Sequence, residues 1–107
     1  GDYYIPDLKL PEENRPIGHY GRLHREYLKQ EHPAWYSSLI LTGKLWTYLA
    51  DLNEQAEERL DLIIEQMKAT EGVTEELKAR NQLEWVGRMN NIRNRAEEII
   101  KSELIYI

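Results

Sequence analysis

The sequence contains no cysteine and no phenylalanine. Without cysteine the chain has neither a disulfide framework nor a thiolate for catalysis or metal binding, and this suits a reducing compartment such as the cytoplasm. Without phenylalanine, three tryptophans and seven tyrosines must supply the bulky packing beside the aliphatic residues. We therefore expect a cytoplasmic protein whose core combines aliphatic side chains with Trp and Tyr groups that need hydrogen-bond partners.

Long apolar runs and catalytic motifs are lacking as well. No run approaches the roughly 20 apolar residues that cross a bilayer, so we predict no membrane association. No HExxH, G-x-S-x-G or Gly-rich phosphate loop is present, and His19, His24 and His32 share no ligand spacing. We predict that each histidine is a surface or hydrogen-bonded residue. We also predict no catalytic residues, metal, cofactor or small-molecule substrate, and hence a protein that is not an enzyme.

The net charge is −5, and the excess of acid is confined to one part of the chain. Residues 45–74 contain seven acidic and two basic side chains, whereas acids and bases balance in residues 1–44 and 75–107. Such a balance opposes binding to nucleic acid by bulk charge but allows a local basic patch. Five acidic residues at helical spacing form an acidic stripe: Asp51, Glu54, Glu58, Asp61 and Glu65. This stripe is either a docking face, for a basic partner or for the Arg side of the last helix, or a solvated face.

The length of 107 residues fits one domain, residues 1–107. Three prolines forbid a helix through residues 1–17, which we predict to be an irregular, Pro/Tyr-rich arm. That arm either packs on the helices or orders on a partner. A first helix is predicted from about Gly18 to Gln30, and a second from Pro33 to a stop at Thr42 and Gly43.

A longer helical pattern follows from Lys44 to the Gly72 stop, and Thr74 is a suitable N-cap for another helix that extends toward Glu103. The first of these helices has its apolar seam at Leu45, Leu49, Leu52, Ala56, Leu60, Ile63 and Met67. The short loop predicts an antiparallel pair. The predicted fold is all-α: two shorter helices, then a long antiparallel helical hairpin, with extended N- and C-terminal segments packed on it, the latter being residues 104–107.

The last helix carries two kinds of side chain on separate stripes. Its apolar seam, typical of a packed helix, comprises Trp85, Met89, Ile92, Ala96 and Ile99. The remaining surface is rich in Arg and Asn, which bind phosphates and read guanine and adenine edges. The candidate contact residues for DNA or a protein partner are Arg80, Arg88, Asn91, Arg93, Asn94 and Arg95. The alternative is a solvated helix face with ordinary i,i+4 pairs between Glu84 and Arg88 and between Glu97 and Lys101.

A helix, proline break and second helix over residues 27–49 are weakly similar to the turn of small excisionase-type DNA binders. A helix that reads DNA exposes polar side chains to base edges. The corresponding positions here are predicted to be core instead: Trp35, Tyr36, Leu39 and Ile40.

Short sequence blocks along the whole chain resemble the TnpV family of transposon-encoded proteins. The blocks are GDYYIP at 1–6, LPEE at 10–13, PIG at 16–18, TGKL at 42–45, YLAD at 48–51, EQA at 54–56, EWV at 84–86 and, most specifically, RMNNIRNRA at 88–96. In that family a short extension commonly precedes the first block, so we expect residues ahead of Gly1. The resemblance implies a bacterial mobile element, a cytoplasmic protein and a faint similarity to excisionases, but no catalytic or binding residues.

Two functions follow from these patterns. The first is a non-enzymatic accessory protein of a bacterial transposon that contacts DNA or the element's recombinase through the Arg/Asn-rich helix face. The alternative is a helical protein–protein interaction module or homodimer that does not bind DNA. In a homodimer, residues 104–107 and the Tyr-rich N-terminal arm would be candidates for burial against the second copy.

Overall fold

The computed structural model describes residues 14–107, which form five α-helices and a C-terminal π-helical turn. They are α1 (Gly18–Glu31), α2 (Pro33–Leu41), α3 (Leu45–Glu71), α4 (Glu75–Arg80), α5 (Gln82–Ile100) and the π-helical turn (Lys101–Ile105). No strand occurs within residues 14–107, and the prediction of an all-α fold is confirmed. Most of the predicted N-terminal arm falls on residues 1–13, which lie outside the described residues.

The chain divides into two compact units between Gln55 and Ala56, at a point inside α3. Of the described residues, 14–55 belong to the first unit, which holds α1, α2 and the beginning of α3. Residues 56–107 form the second, with the rest of α3, α4, α5 and the π-helical turn. The single domain over residues 1–107 stays a prediction.

In the first unit, α1 buries one side against the start of α3. Tyr20, His24 and Leu28 recur every fourth residue and are buried, as are Leu49 and Ala50 of α3. Gly21 lets the two backbones approach, because a Cβ at this position would lie 3.1 Å from the carbonyl oxygen of Leu49. Burial of a leucine as complete as that of Leu28 contributes about 2 kcal/mol to stability.

The N-terminus of α1 is capped from α3 rather than from its own chain end. Ile17 occupies the N-cap position and has no side-chain acceptor. The buried Asn53 supplies one, since its Oδ1 accepts a hydrogen bond of 3.1 Å from the backbone N–H of Tyr20. Gly18 lies directly beside this amide with a φ of +70°, and a Cβ there would overlap the Asn53 side chain. The beginning of α1 therefore depends on a glycine and on a polar group 35 residues later.

Helix α2 contradicts the prediction that its apolar side chains form core. None of its residues is buried in the part of the chain that the structure describes. Trp35 is 46% exposed although its ring contacts that of Tyr48, and Leu41 is 85% exposed. The prediction was wrong because apolar residues lie all round α2, and a helix that packs on one side cannot bury all of them.

The second unit has its core along the facing sides of α3 and α5. The α3 seam is confirmed where Ala56, Leu60 and Ile63 are buried. On α5, Ile92 and Ala96 are fully buried as predicted, whereas Trp85, Met89 and Ile99 are only half-buried. The fully buried residue at the end of α5 is Ile100 instead of Ile99, so the seam continues at steps of four.

Ion pairs within the second unit show that α3 and the C-terminal segment run antiparallel. Arg95 binds Glu71 at 2.7 Å, and Arg59 binds Glu103 at 3.1 Å, so later residues of one segment meet earlier residues of the other. The predicted hairpin is confirmed in this respect. The C-terminus differs from the predicted extended segment: residues 101–105 form a π-helical turn, because Ile105 is fully buried and Tyr106 N–H bonds to the Lys101 carbonyl at 2.8 Å.

The helix expected from Thr74 toward Glu103 is interrupted at Asn81, which separates α4 from α5. Thr74 caps α4 as predicted, accepting a hydrogen bond from Leu77 N–H at 3.2 Å. Asn81 caps α5 in the same way, accepting from Glu84 N–H at 3.1 Å. Asn followed by Glu at the third position is a capping-box-like signal that marks this start in the sequence.

We expect Asn81→Ala to lower the free energy of unfolding by about 1 kcal/mol, because α5 would lose its N-terminal acceptor. Chemical denaturation measures this loss, and Gln82→Ala is the matched control because it leaves the cap in place. Equal losses for the two variants would contradict a capping role for Asn81.

Candidate functional site

All six predicted contact residues are exposed on α4 and α5, but they divide into two classes by their partners. The first class is already engaged within the chain. Arg88 binds Glu84 one turn earlier, with Nη2 at 2.8 Å and Nε at 2.9 Å from the same carboxylate oxygen. This is the i,i+4 pair that the solvated-face alternative predicts, and an exposed pair of this kind contributes about 0.3–0.5 kcal/mol.

Arg95 is held by two partners and links α5 to the end of α3. Its Nη2 donates to both carboxylate oxygens of Glu71, at 2.7 and 2.8 Å, while its Nε donates to Asn91 Oδ1 at 2.9 Å. The side chains of Arg95 and Asn91 are therefore oriented by the protein itself. The sequence predicts a contact surface at these positions. In the structure Arg95 connects α5 to the end of α3, and Asn91 orients the Arg95 side chain.

The second class comprises Arg80, Arg93 and Asn94. Within residues 14–107 these three side chains have no hydrogen-bond or ion-pair partner, and all three are exposed. Arg80 ends α4, whereas Arg93 and Asn94 lie on α5. Their donors and acceptors can therefore bind a partner without breaking a bond to any of residues 14–107.

Residues that the sequence analysis did not select extend this surface toward the start of α5. Leu83 is 85% exposed and Val86 is 40% exposed, and Gly87 has open space where a Cβ would lie. Steps of three and four place these residues on the same side of the helix as Asn90, Arg93 and Asn94. We call these residues the outer face of α5: Leu83, Val86, Gly87, Asn90, Arg93 and Asn94. The sequence signal that identifies Leu83 and Val86 as exposed is that neither falls at a position of the apolar seam of α5.

The inner side of α5 is anchored near its start by Trp85. Lys78 Nζ of α4 lies 4.6 Å from the centre of the Trp85 ring, which is a cation–π contact. The indole Nε1 is buried and has no hydrogen-bond partner in the described part of the chain. Trp85 therefore contributes packing between α4 and α5, which holds the outer face at a defined position on the second unit.

The acidic stripe of α3 does not bind the Arg side of α5 among the described residues. Arg15 forms ion pairs with Asp51 and Glu54, each at 2.8 Å, and Glu65 forms an ion pair with Lys68 at 3.3 Å. The carboxylate that binds α5 is Glu71, which lies outside the stripe. Docking of the acidic stripe on the Arg side of the last helix is therefore not seen among these residues. Its docking to a separate basic partner stays a prediction.

A second group of polar side chains lies among aromatic rings in the first unit. The buried His24 has its Nε2 at 3.0 Å from the hydroxyl oxygen of Tyr48. The His24 ring lies near that of Tyr27, and the Tyr48 ring lies near that of Trp35. Burial raises the pKa of the Tyr48 phenol above its usual value, so the hydroxyl stays protonated at neutral pH. The prediction that His24 is a surface or hydrogen-bonded residue is confirmed, because the Tyr48 hydroxyl gives its buried ring nitrogen a hydrogen-bond partner.

Residues 14–107 contain no cluster of three or more His, Asp or Glu side chains arranged to hold a metal ion. Within the same residues, no helix combines the length and apolar character required to traverse a bilayer.

Comparison with known proteins relates the chain to one family. The sequence model of the family described as transposon-encoded protein TnpV matches residues 1–105, which is nearly the whole chain. No curated protein and no solved structure matches the chain.

Proposed function

The chain belongs to the TnpV family of transposon-encoded proteins, and on that premise we propose that it binds its element's recombinase through the outer face of α5. Membership of this family makes it an accessory protein encoded by a transposon. In our proposal it acts in the cytoplasm, without catalysis of its own, by attaching to the protein that performs strand exchange.

The observation that carries the proposal is the composition of the outer face. Leu83 and Val86 are exposed apolar side chains at one end, and Asn90, Arg93 and Asn94 are exposed hydrogen-bonding groups at the other. Protein interfaces combine an apolar centre with such polar groups, and Arg is enriched in them. No carboxylate lies among the six residues, so a partner surface that carries acidic groups fits without repulsion.

Gly87 gives this face a further property that suits a protein partner. It costs the helix about 1 kcal/mol relative to alanine, yet a Cβ here would meet nothing within 4 Å among residues 14–107. The space beside it admits a second helix or strand close to the α5 backbone.

The charges on α4 and α5 favour a protein over DNA as the partner. Arg88 and Arg95 are already paired with carboxylates, so their contact with phosphates would first break those pairs. The net charge of −5 adds long-range repulsion from the DNA backbone. DNA nevertheless remains the second candidate partner, because Arg80, Arg93 and Asn94 are exposed and have no partners within residues 14–107.

The test of this proposal is a titration with the purified recombinase of the same element. We expect the double variant Leu83→Glu, Arg93→Glu to weaken binding by about tenfold or more, since it removes an apolar contact at one end of the face and reverses a charge at the other. The matched control is Leu62→Glu, which changes a leucine that is also exposed but lies on α3. Far-UV circular dichroism should be the same for all three proteins.

A parallel titration with DNA from the ends of the element, beside a scrambled duplex at low and physiological salt, separates the two candidates. Recombinase binding that depends on Leu83 and Arg93 supports the proposal. Failure of the wild-type protein to bind recombinase, or equal binding by the double variant, refutes it. End-specific DNA binding at physiological salt that is lost in an Arg80→Ala, Arg93→Ala variant would establish the DNA candidate instead.

A further inference from the structure

Helix α2 and the first turn of α3 expose a large uncharged surface on the first unit. None of the nine residues of α2 is charged, and none is buried within the described part of the chain. The large exposed apolar side chains are Trp35, Ile40, Leu41 and Trp46. Together they present on the order of 500 Å² of accessible surface, which is a large apolar patch for a monomer.

We propose that a second copy of this chain covers this surface, with the two α2 helices packed antiparallel across a two-fold axis. A net charge of −5 on each copy makes most approaches between two chains repulsive. The α2 surface is where two copies meet without bringing like charges together. A two-fold dimer uses the same patch on both copies, so that patch must be complementary to itself.

The side chains of α2 meet this requirement. An axis that passes between Ser37 and Ser38 places Leu41 of one copy against Ala34 of the other. Ala34, Ser37 and Ser38 are small and exposed, so the helix backbones can approach closely at the centre. A leucine then lies opposite an alanine at each end, and such pairing of a large with a small side chain fills space between packed helices.

The charges that flank α2 agree with the same orientation. Glu31 precedes the helix and Lys44 follows it; both are exposed, and neither has an ion-pair partner among residues 14–107. Antiparallel pairing about the same axis brings Glu31 of one copy toward Lys44 of the other, twice per dimer. A parallel arrangement would instead place like charges at each end, so these flanks select the antiparallel one.

The size of the patch is sufficient for a dimer when its rim is included. A standard interface buries about 800 Å² on each partner. The exposed side chains provide the greater part of this area, and the exposed Ala34, Ser37 and Ser38 on the same side of α2 as Leu41 add to it. The proposed dimer interface belongs to the first unit, whereas the proposed recombinase contact belongs to the second. Each proposal can therefore be tested and refuted independently of the other.

The test is the molar mass of the full chain by light scattering and sedimentation over a range of concentrations. We expect a reversible dimer, and we expect Leu41→Lys to raise its dissociation constant by about tenfold or more. The matched control is Leu83→Lys, because both leucines are 85% exposed but Leu83 lies on α5. A wild-type protein that is monomeric up to its solubility limit refutes the proposal, as does a dimer that Leu41→Lys leaves unchanged.

A charge exchange tests the orientation and does not depend on any single variant folding well. Glu31→Lys and Lys44→Glu should each weaken the dimer, and the double variant should restore it, because the pair is then reversed in both places. Weaker dimerisation of the single variants that the double variant does not restore would refute the antiparallel arrangement.

Discussion

Replacement of Gly18 by alanine is expected to lower the free energy of unfolding by about 3 kcal/mol, which is a large fraction of the stability of a chain this size. Two effects combine. The φ of +70° is strained for any residue with a Cβ, and that Cβ would overlap the amide of Asn53. If Asn53 moves aside, the backbone N–H of Tyr20 loses its acceptor in a buried place.

Gly43→Ala is the control that separates the two effects. Gly43 has a similar φ of +72°, but a Cβ there would meet nothing within 4 Å in the part of the chain that the structure describes. This variant therefore carries the backbone strain alone, about 1–2 kcal/mol. Urea denaturation of both variants measures the difference. Equal losses would show that Asn53 does not hold the start of α1, and a double-mutant cycle with Asn53→Ala would then give no coupling energy.

The second large effect is expected from Ile100→Ala, which should cost about 3–4 kcal/mol because the side chain is fully buried and leaves a cavity. Ile99→Ala is the paired variant: its side chain is half-buried, and its loss should be less than half as large. The two residues have the same volume and are neighbours in α5, so helix propensity cancels from the comparison. A larger loss at Ile99 than at Ile100 would mean that the seam assigned to α5 is displaced by one residue.

The ends of the helices were predictable because each depends on a few neighbouring residues. Pro33 forces His32 out of the α region and begins α2, and Gly43 and Gly72 have the positive φ that commonly terminates helices. Thr74 caps α4 through its own hydroxyl. The break at Asn81 differs from the helix predicted from Thr74 toward Glu103, although the Asn81 cap is equally local.

The candidate site was predictable only in part. Its Arg and Asn residues are exposed in the structure, and their role as a contact surface stays a prediction. That Arg95 is bound by Glu71 depends on a residue 24 positions earlier, which helical periodicity does not reveal. The exposed Leu83 and Val86 were missed because an apolar residue is expected to be buried unless the neighbouring helix leaves it uncovered.

By itself the sequence determined the all-α class, most helix ends, the antiparallel course of α3 and α5 and the family, because these follow from local caps, periodicity and matching blocks. Tertiary structure decided which apolar side chains are covered and which arginines remain available. Helix α2 shows the difference: its composition predicts burial, but its contacts within the chain leave every residue at least partly exposed. Burial and pairing depend on which surfaces meet, and that is a property of the packed helices rather than of any single one.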